Sequence, residues 1–215
     1  MTLPASPTKT STWPISVGAE AIAAAQFARC GFDVLAQTAR DKPWYDFAVT
    51  RAGNLLKVSV KASEDGRWNL TQSFARRSTD QGARSVDCRS AIDFWADSQG
   101  SKTICCLVQF EGVTINQMPR IYLAFPNDLA AEMRAAAERT GHCALLEKYE
   151  WTVDGKREYS ALPSSWRFSP ERIQELLERQ VAPLFTGTFS KSSKGPVSAT
   201  PIPRTQGTRE IALSA

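Results

Sequence analysis

The segment over residues 45–61, YDFAVTRAGNLLKVSVK, constrains the fold more than any other part of the chain, because it predicts a β-hairpin. A turn over residues 51–54 pairs Thr50 with Leu55. In that register one face carries only apolar side chains, which are Tyr45, Phe47, Val49, Leu56, Val58 and Val60. A slip by one residue would expose all of them, so this alternation fixes the register.

The opposite face of the hairpin carries polar and charged side chains. Asp46 is expected directly opposite Ser59, and Lys61 one diagonal step away from Asp46. A charged group on a buried strand needs a partner or a metal ion, because its desolvation costs free energy. A carboxylate and a lysine that converge on one face therefore indicate a functional site.

A third charged group lies on the first predicted helix, which runs from Ser16 to Cys30. At about 100° per residue, Glu20 projects between Ala24 and Phe27, on the apolar side of this helix. Two explanations stay open. Glu20 is either an acidic residue near the helix start, favoured there by the helix dipole, or a further member of the hairpin site.

The remaining pattern predicts an α/β domain in which helices flank a mixed β-sheet. Asn127 is expected to cap an alanine-rich helix, and Ser169 and Pro170 to start a C-terminal helix. The other predicted elements are a strand near 33–37, a strand over RWNLTQ at 67–72, a helix at 85–97, strands at 103–110 and 120–125, and weaker strands at 144–151 and 158–162.

Composition assigns these elements to one domain over residues 13–185. The chain has 215 residues, of which 42% are hydrophobic, and this suffices for one sizeable core. Residues 1–12 and the basic tail at 186–215 contain few large apolar side chains, so we expect both to be disordered. No apolar run approaches the roughly 18 residues of a membrane span and no signal peptide is recognised, so a cytoplasmic protein without a membrane partner is expected.

Absences from the sequence exclude several classes of enzyme. His142 is the single histidine, which excludes hydrolases built on several histidine ligands. No G-x-S-x-G motif of a serine hydrolase is present, although the residue count alone does not exclude a Ser-His-Asp site. No phosphate-binding glycine-rich loop of the Walker type is present either, so an autonomous NTPase is not indicated. The five cysteines lack a CxxC pair and indicate neither a zinc site nor a disulfide framework.

The order of the site residues resembles the PD-(D/E)XK nuclease superfamily, which includes many restriction enzymes and Holliday-junction resolvases. The matching positions are Gly18, Ala19 and Glu20 on the first helix, Gly31, Asp46 on a strand, Gly53, and the run from Val58 to Lys61. The resemblance covers residues 16–63 and extends loosely to the later strands and helices. It implies a restriction-endonuclease-like core and a nuclease that uses Mg²⁺ or Mn²⁺ on DNA, with a homodimer among the assemblies considered.

The resemblance also implies a role for each site residue. Asp46 matches the metal-binding aspartate, Lys61 matches the lysine that orients or activates the attacking water, and Glu20 matches a helix glutamate that some branches use as a further ligand. The backbone carbonyl of Val60 would add another hard oxygen ligand for Mg²⁺. Ser59 departs from the family, which usually has Glu, Asp or Gln at this position.

A serine hydroxyl is a poor substitute for a carboxylate, so an acid from elsewhere is considered. The candidates are Glu64, Asp65, Asp87 and Asp93. Glu64 and Asp65 are typical of a turn before Gly66, and Asp87 is expected to be solvated, whereas Asp93 could turn inward. If the 67–72 strand pairs with the hairpin, Gln72 lands opposite Ser59.

Basic residues between the 67–72 strand and the next helix are candidates for DNA contact. They include Arg67, Arg76, Arg77 and Arg84. Such a loop could clamp phosphates, or it could be an ordinary exposed loop. Trp44 and Trp68 flank the predicted site and could stack on bases, although tryptophans are more often part of the core.

Three functions stay open from the sequence. The first is a metal-dependent DNA endonuclease or resolvase-like phosphodiester hydrolase. The second is a catalytically degenerate nuclease fold that binds DNA or a protein, as Ser59 suggests. The third is an unrelated α/β interaction protein in which the hairpin charges are structural.

Overall fold

The computed structural model of the protein describes residues 12–36, 45–74, 77–78, 85–100 and 102–181. The helices are α1 (Thr12–Arg29), α2 (Cys88–Asp97), α3 (Pro126–Thr140) and α4 (Pro170–Val181), with a short 3₁₀ helix at Ser164–Trp166. The strands are β1 (Asp33–Ala36), β2 (Phe47–Arg51), β3 (Asn54–Ser63), β4 (Arg67–Trp68), β5 (Arg77–Ser78), β6 (Ser85–Val86), β7 (Thr103–Gln109), β8 (Arg120–Ala124), β9 (Leu145–Leu146), β10 (Lys148–Val153) and β11 (Lys156–Ala161).

The core of the fold is a mixed five-stranded sheet in the order β1-β2-β3-β7-β8. The β3–β7 pair is parallel and the other pairs are antiparallel. Residues of α1 and α4 pack on one face of the sheet, and residues of α2 and α3 pack on the other. This confirms the predicted fold class of a mixed sheet flanked by helices, including the C-terminal helix.

The predicted hairpin register is confirmed, because Thr50 pairs with Leu55. The two-residue loop of Ala52 and Gly53 has positive φ angles of 49° and 81°, as a tight hairpin turn requires. Five of the six residues of the predicted apolar face are buried in the core, namely Phe47, Val49, Leu56, Val58 and Val60. The sixth prediction is wrong, because Tyr45 is half-buried and its ring contacts the ammonium group of Lys57.

Three predicted helix starts are wrong. Helix α1 begins at Thr12 rather than at Ser16. Pro14 is compatible with this earlier start, because it lies in the first turn, where a backbone N–H would have no acceptor within the helix. Helix α3 begins at Pro126 after the N-cap Phe125, so Asn127 lies inside it. Helix α2 begins at Cys88 rather than at 85, with its Ser90 N–H bonded to the side chain of the N-cap Asp87.

The predicted strand at 67–72 is also wrong beyond its first two residues. Only Arg67 and Trp68 are extended, and they pair with β9 rather than with β3. Residues 70–74 form turns, held by a 3.0 Å hydrogen bond from the Thr71 hydroxyl to the Cys143 carbonyl. Gln72 therefore does not face Ser59 across a strand pair.

Several predictions fall on parts of the chain that lie outside the described residues. These predictions concern the segments at 1–12, apart from Thr12, and at 186–215, for which disorder was expected, together with Trp44, Arg76 and Arg84. Within the described part, no helix combines the length and apolar character needed to cross a bilayer.

Candidate functional site

A cleft of about 640 Å³ opens beside β3, at the point where β2 begins. All four predicted site side chains, those of Glu20, Asp46, Ser59 and Lys61, line this cleft. They come from α1, from the residue before β2, and from β3. The fold thus brings together the residues that the sequence predicted as one site, and we call this space the main cleft.

Asp46 is anchored to the strand opposite it. The last regular pair of the hairpin is Phe47 with Val58, and the chain bends at Asp46 just before it. The Asp46 N–H donates to the Val58 carbonyl at 2.8 Å, and its carboxylate Oδ2 accepts the Val60 N–H at 2.7 Å. The carboxylate therefore substitutes for a strand partner and is held at the edge of the cleft.

Ser59 and Lys61 point to the same side of β3, since they are two residues apart on a strand. Ser59 is only 4% exposed, whereas Lys61 is half-buried. The strand partner of Ser59 is Cys105, whose thiol is fully buried. Burial raises the pKa of this thiol to about 12, opposed by the charge of Lys61 and reinforced by that of Asp46. Two of the three charges of the predicted site, those of Lys61 and Asp46, thus act on a thiol beneath the cleft.

Trp68 fixes the backbone of β3 at the site. Its indole Nε1–H donates to the Lys61 carbonyl at 3.0 Å, and its ring packs edge-on against Tyr122 at 6.3 Å between centroids. Trp68 is 2% exposed, so it is not available to stack on a nucleic-acid base, and that expectation is wrong.

Glu20 lies half-buried on α1, beside the fully buried residues Ala19, Ala23 and Phe27. Because α1 begins at Thr12, Glu20 lies in its third turn and not at its start. The helix-start explanation for this carboxylate therefore does not apply. Its place on the wall of the main cleft accounts for an acid at the border of the apolar stripe.

The donor set of the main cleft fits a hard divalent cation. Magnesium is usually bound by one or two carboxylates together with water and substrate phosphate, rather than by an all-protein cage. Asp46 and Glu20 are the two carboxylates that line the cleft. In the described part of the chain, no group of three or more His, Cys, Asp or Glu side chains is arranged to hold a metal ion.

The Val60 carbonyl is compatible with this donor set. A strand residue directs its N–H and its carbonyl to the same side, and the Val60 N–H points toward Asp46. The carbonyl of Val60 is therefore directed past the end of β2, and Val60 is among the residues that line the cleft.

The acids considered as replacements for Ser59 are engaged elsewhere. Asp65 bonds the Ser63 hydroxyl and the Arg67 N–H, and Asp87 caps α2. Asp93 accepts two hydrogen bonds from Arg134, at 2.6 and 2.9 Å. Neither these residues nor the exposed Glu64 line the main cleft, so the described structure supplies no relocated carboxylate there.

The sequence analysis missed the wall of the cleft formed by the end of α2. Gln99 lines the cleft, and its amide Nε2 donates to the Trp95 carbonyl and to the Ser98 hydroxyl, both at 3.0 Å. Because a carbonyl only accepts, these contacts fix the amide orientation. No sequence motif marks Gln99, since its position depends on how α2 packs against the sheet.

Of the predicted basic residues, Arg67 is exposed on β4 but does not line the main cleft. Arg77 lies on β5, which pairs with β6. The structure therefore leaves the predicted phosphate clamp over 67–84 as a prediction.

Comparisons with known proteins include a similarity to a solved structure. No protein-family model and no curated protein sequence matches the chain. A solved structure described as a bacterial homing endonuclease aligns with it at a TM-score of 0.42 and 16% identity, over 79% of this chain and 95% of that chain. At these values the similarity concerns the course of the backbone and does not identify the chemistry of the cleft.

Proposed function

We propose that this protein is a metal-dependent endonuclease that hydrolyses phosphodiester bonds in DNA at the main cleft. The observation that carries the proposal is the convergence of Asp46, Lys61 and Glu20, from three separate segments, on one cleft at the end of the hairpin. Two carboxylates and one ammonium group suit the binding of a cation and a phosphate together.

Asp46 and Glu20 would hold the metal ion, with the Val60 carbonyl as a neutral ligand. When bound, Mg²⁺ or Mn²⁺ supplies positive charge next to the scissile phosphate and favours ionisation of water. The hydrogen bond from the Val60 N–H keeps the Asp46 carboxylate in place before any ligand arrives. Such preorganisation avoids a reorganisation cost during the reaction.

Lys61 supplies the mobile positive charge of the site. Its ammonium group can donate hydrogen bonds to a phosphoryl oxygen and stabilise the negative charge that develops there. It can also orient the attacking water, which then loses its proton to solvent or to a phosphate oxygen. Trp68 holds the backbone from which this side chain extends.

The proposal is tested by incubating the purified full chain with linear, branched and single-stranded DNA in Mg²⁺ or Mn²⁺. We expect metal-dependent cleavage that Asp46→Asn and Lys61→Ala abolish. Lys57→Ala is the matched control, because Lys57 lies on the same strand and face but its ammonium group sits over the Tyr45 ring, 5.3 Å from the centroid. Absence of cleavage in the wild type on every substrate would overturn the enzymatic proposal.

A second function is favoured by Ser59. Without a carboxylate there, or a relocated one among the described residues, the same cleft could serve only for binding. In that case the wild type binds DNA but does not cut it, and Asp46→Asn leaves the DNA affinity unchanged. Size-exclusion chromatography with and without DNA would test whether either form acts as a homodimer.

A further inference from the structure

A second cleft of about 630 Å³ lies at the β8 edge of the sheet, between β8 and the β10–β11 hairpin. The residues that matter for its chemistry are Arg120, Tyr122, Glu147, Lys148, Ser164 and Arg167. None of them belongs to the main cleft or to the predicted site. We call this space the β8 cleft.

The floor of the β8 cleft is a hydrogen-bonded ionic cluster, in which the charge of Arg120 neutralises that of Glu147. Glu147 is buried, with its side chain 4% exposed, and accepts two hydrogen bonds from the Arg120 guanidinium at 2.6 and 2.7 Å. The Tyr122 hydroxyl donates a further, short bond to the same carboxylate. Such a cluster is rigid, because each polar group is held by several partners.

Arg167 is presented on top of this floor. Its guanidinium carbon lies 4.6 Å from the centroid of the Tyr122 ring, and the residue is exposed. Within the described part of the chain it forms no ion pair with a carboxylate. Stacking fixes the plane of the guanidinium while leaving its N–H groups directed outward, which suits recognition of a phosphate.

The charge balance of the β8 cleft also favours an anion. Three cationic side chains and two carboxylates line it, and Arg120 pairs with both carboxylates, at 2.6 Å for Glu147 and 3.7 Å for Glu111. The charge of Arg167 also acts on Glu147, but among the described residues neither Arg167 nor Lys148 forms an ion pair, so these two cations are available to a ligand. The Ser164 hydroxyl lines the cleft as a further donor.

The β8 cleft lies on the same face of the sheet as Lys61. Lys61 pairs with Leu107, Leu107 with Tyr122, and Tyr122 forms a bridge with Arg167. Neighbouring strands lie about 4.8 Å apart, so the backbones of Lys61 and Arg167 are roughly 14 Å apart along one row. That distance is short compared with a bound DNA segment of one helical turn, which rises roughly 34 Å.

We infer that the β8 cleft binds a backbone phosphate of the DNA at a distance from the bond that is cut. This inference rests on the proposed function and deepens it, because it assigns a second contact point to the same substrate. Arg167 donates to the phosphate from its stacked position, and Lys148 adds charge. Such contacts position the nucleic acid and are independent of base sequence.

The test is the affinity of the full chain for a labelled duplex, measured by fluorescence anisotropy in EDTA over a range of salt concentrations. Omitting the metal separates this test from cleavage. Arg167→Ala should weaken binding about three- to tenfold at low salt and reduce the slope of log K against log salt by about one, as loss of one phosphate contact predicts. Lys148→Ala should have a smaller effect in the same direction.

Arg139→Ala is the matched control, because Arg139 also stacks on an aromatic ring, that of Trp151, at 4.8 Å. We expect its affinity and salt slope to equal those of the wild type. Arg167→Lys keeps the positive charge and should retain most of the salt slope. It therefore provides a second test of the inference if the alanine variant does not fold. An unchanged slope in Arg167→Ala would overturn the inference, even if the wild type cleaves DNA. Binding of inorganic phosphate at Arg167 without an effect on the DNA slope would also overturn it, in favour of a small anion as the ligand.

Discussion

The Asp46 carboxylate accepts the backbone N–H of Val60 at 2.7 Å and thereby ties the predicted metal ligand to the strand that carries Lys61. This one contact gives Asp46 a structural role in addition to the chemical role that we propose. Two different substitutions of Asp46 separate the structural role from the chemical role.

Asp46→Asn should leave the fold intact while abolishing cleavage. The amide keeps an oxygen that can accept the Val60 N–H, but it lacks the charge for metal binding. Asp46→Ala leaves that N–H without its acceptor and should lower the free energy of unfolding by about 1–2 kcal/mol. Urea denaturation and isothermal titration with Mn²⁺ measure the two effects. Equal Mn²⁺ affinity in the wild type and in Asp46→Asn would show that the metal, if bound, lies elsewhere.

Ser59→Glu should create a stronger metal site at a cost in stability without metal. Ser59 is 4% exposed and lines the main cleft together with Asp46, so a glutamate there adds a carboxylate to a poorly solvated part of the cleft that already holds one. We expect the metal-free variant to melt below the wild type and to recover when Mn²⁺ is added. Thermal denaturation with and without the ion measures this.

Ser73→Glu is the control for Ser59→Glu. Ser73 also lines the main cleft but is exposed, so the added charge remains solvated. Its melting temperature should change little, with or without Mn²⁺. A Ser59→Glu protein that melts earlier yet gains nothing from the ion would contradict the placement of a metal between Asp46 and Ser59.

Trp68→Phe tests whether the indole positions Lys61. The substitution keeps an aromatic ring against Tyr122 but removes the donor to the Lys61 carbonyl, which should cost about 1 kcal/mol in stability. A small shift of the reacting groups can slow catalysis strongly, so we expect turnover to fall about tenfold while DNA affinity is unchanged. Trp151→Phe, on the β10–β11 hairpin, should change neither quantity. If Trp68→Phe loses stability but keeps its turnover, Trp68 contributes only to packing and does not position Lys61.

The ionic cluster around Glu147 predicts a pH dependence of stability. Burial alone would raise the pKa of Glu147, but hydrogen bonds from Arg120 and Tyr122 outweigh it, so this pKa lies below its usual value of 4.5. A carboxyl with a lowered pKa in the folded state stabilises the fold above the pKa of the unfolded chain. This contribution is lost as the pH falls through the folded-state pKa.

Glu147→Gln should therefore lower the free energy of unfolding by about 2–3 kcal/mol near neutral pH, somewhat less than for a fully buried pair because Arg120 is partly exposed. The difference from the wild type should shrink once the pH falls below about 4. Glu150→Gln, in the exposed pair with Arg157, should cost less than about 0.5 kcal/mol at any pH. A Glu147→Gln deficit that is the same in acid and at neutral pH would show that packing, not charge, is lost.

The hairpin and its site could be predicted from the sequence because their determinants are local. The alternation on either side of the Ala52–Gly53 turn fixes which residues face the core, and it places Ser59 and Lys61 on the face that lines the main cleft. Asp46 lines the same cleft, but its predicted pairing with Ser59 is replaced by a bend in which its carboxylate accepts the Val60 N–H. The side of α1 on which Glu20 lies could also be predicted, since helical periodicity alone sets it, whereas the choice between its two explanations depended on where α1 begins. In each case the positions depend on neighbours within one or two elements.

The rest could not be predicted because it depends on partners that are distant in the chain. The RWNLTQ segment alternates like a strand, yet its Thr71 hydroxyl bonds the Cys143 carbonyl and the segment turns instead. For Trp68 the sequence left both base stacking and a place in the core open, and only the packing against Tyr122 shows that it is internal. The β8 cleft joins residues of β8, the β10 strand and the chain after β11, so no local pattern marks it.

Strand β3 has ten residues whereas its hairpin partner β2 has five, and the ladder between them ends at Phe47 and Val58. Among the described residues, the later part of β3 therefore has no strand partner on the β2 side, although β3 is internal with respect to strand order. An open edge can accept another extended chain, and charged side chains are a common protection against this. The Asp46 carboxylate occupies the Val60 N–H on this side of β3, and Lys61 follows directly on the same strand, so we expect the groups proposed for chemistry also to oppose pairing with another copy of the chain. A variant with alanine at both positions should form intermolecular β-structure at concentrations where the wild type stays monodisperse, as light scattering would detect.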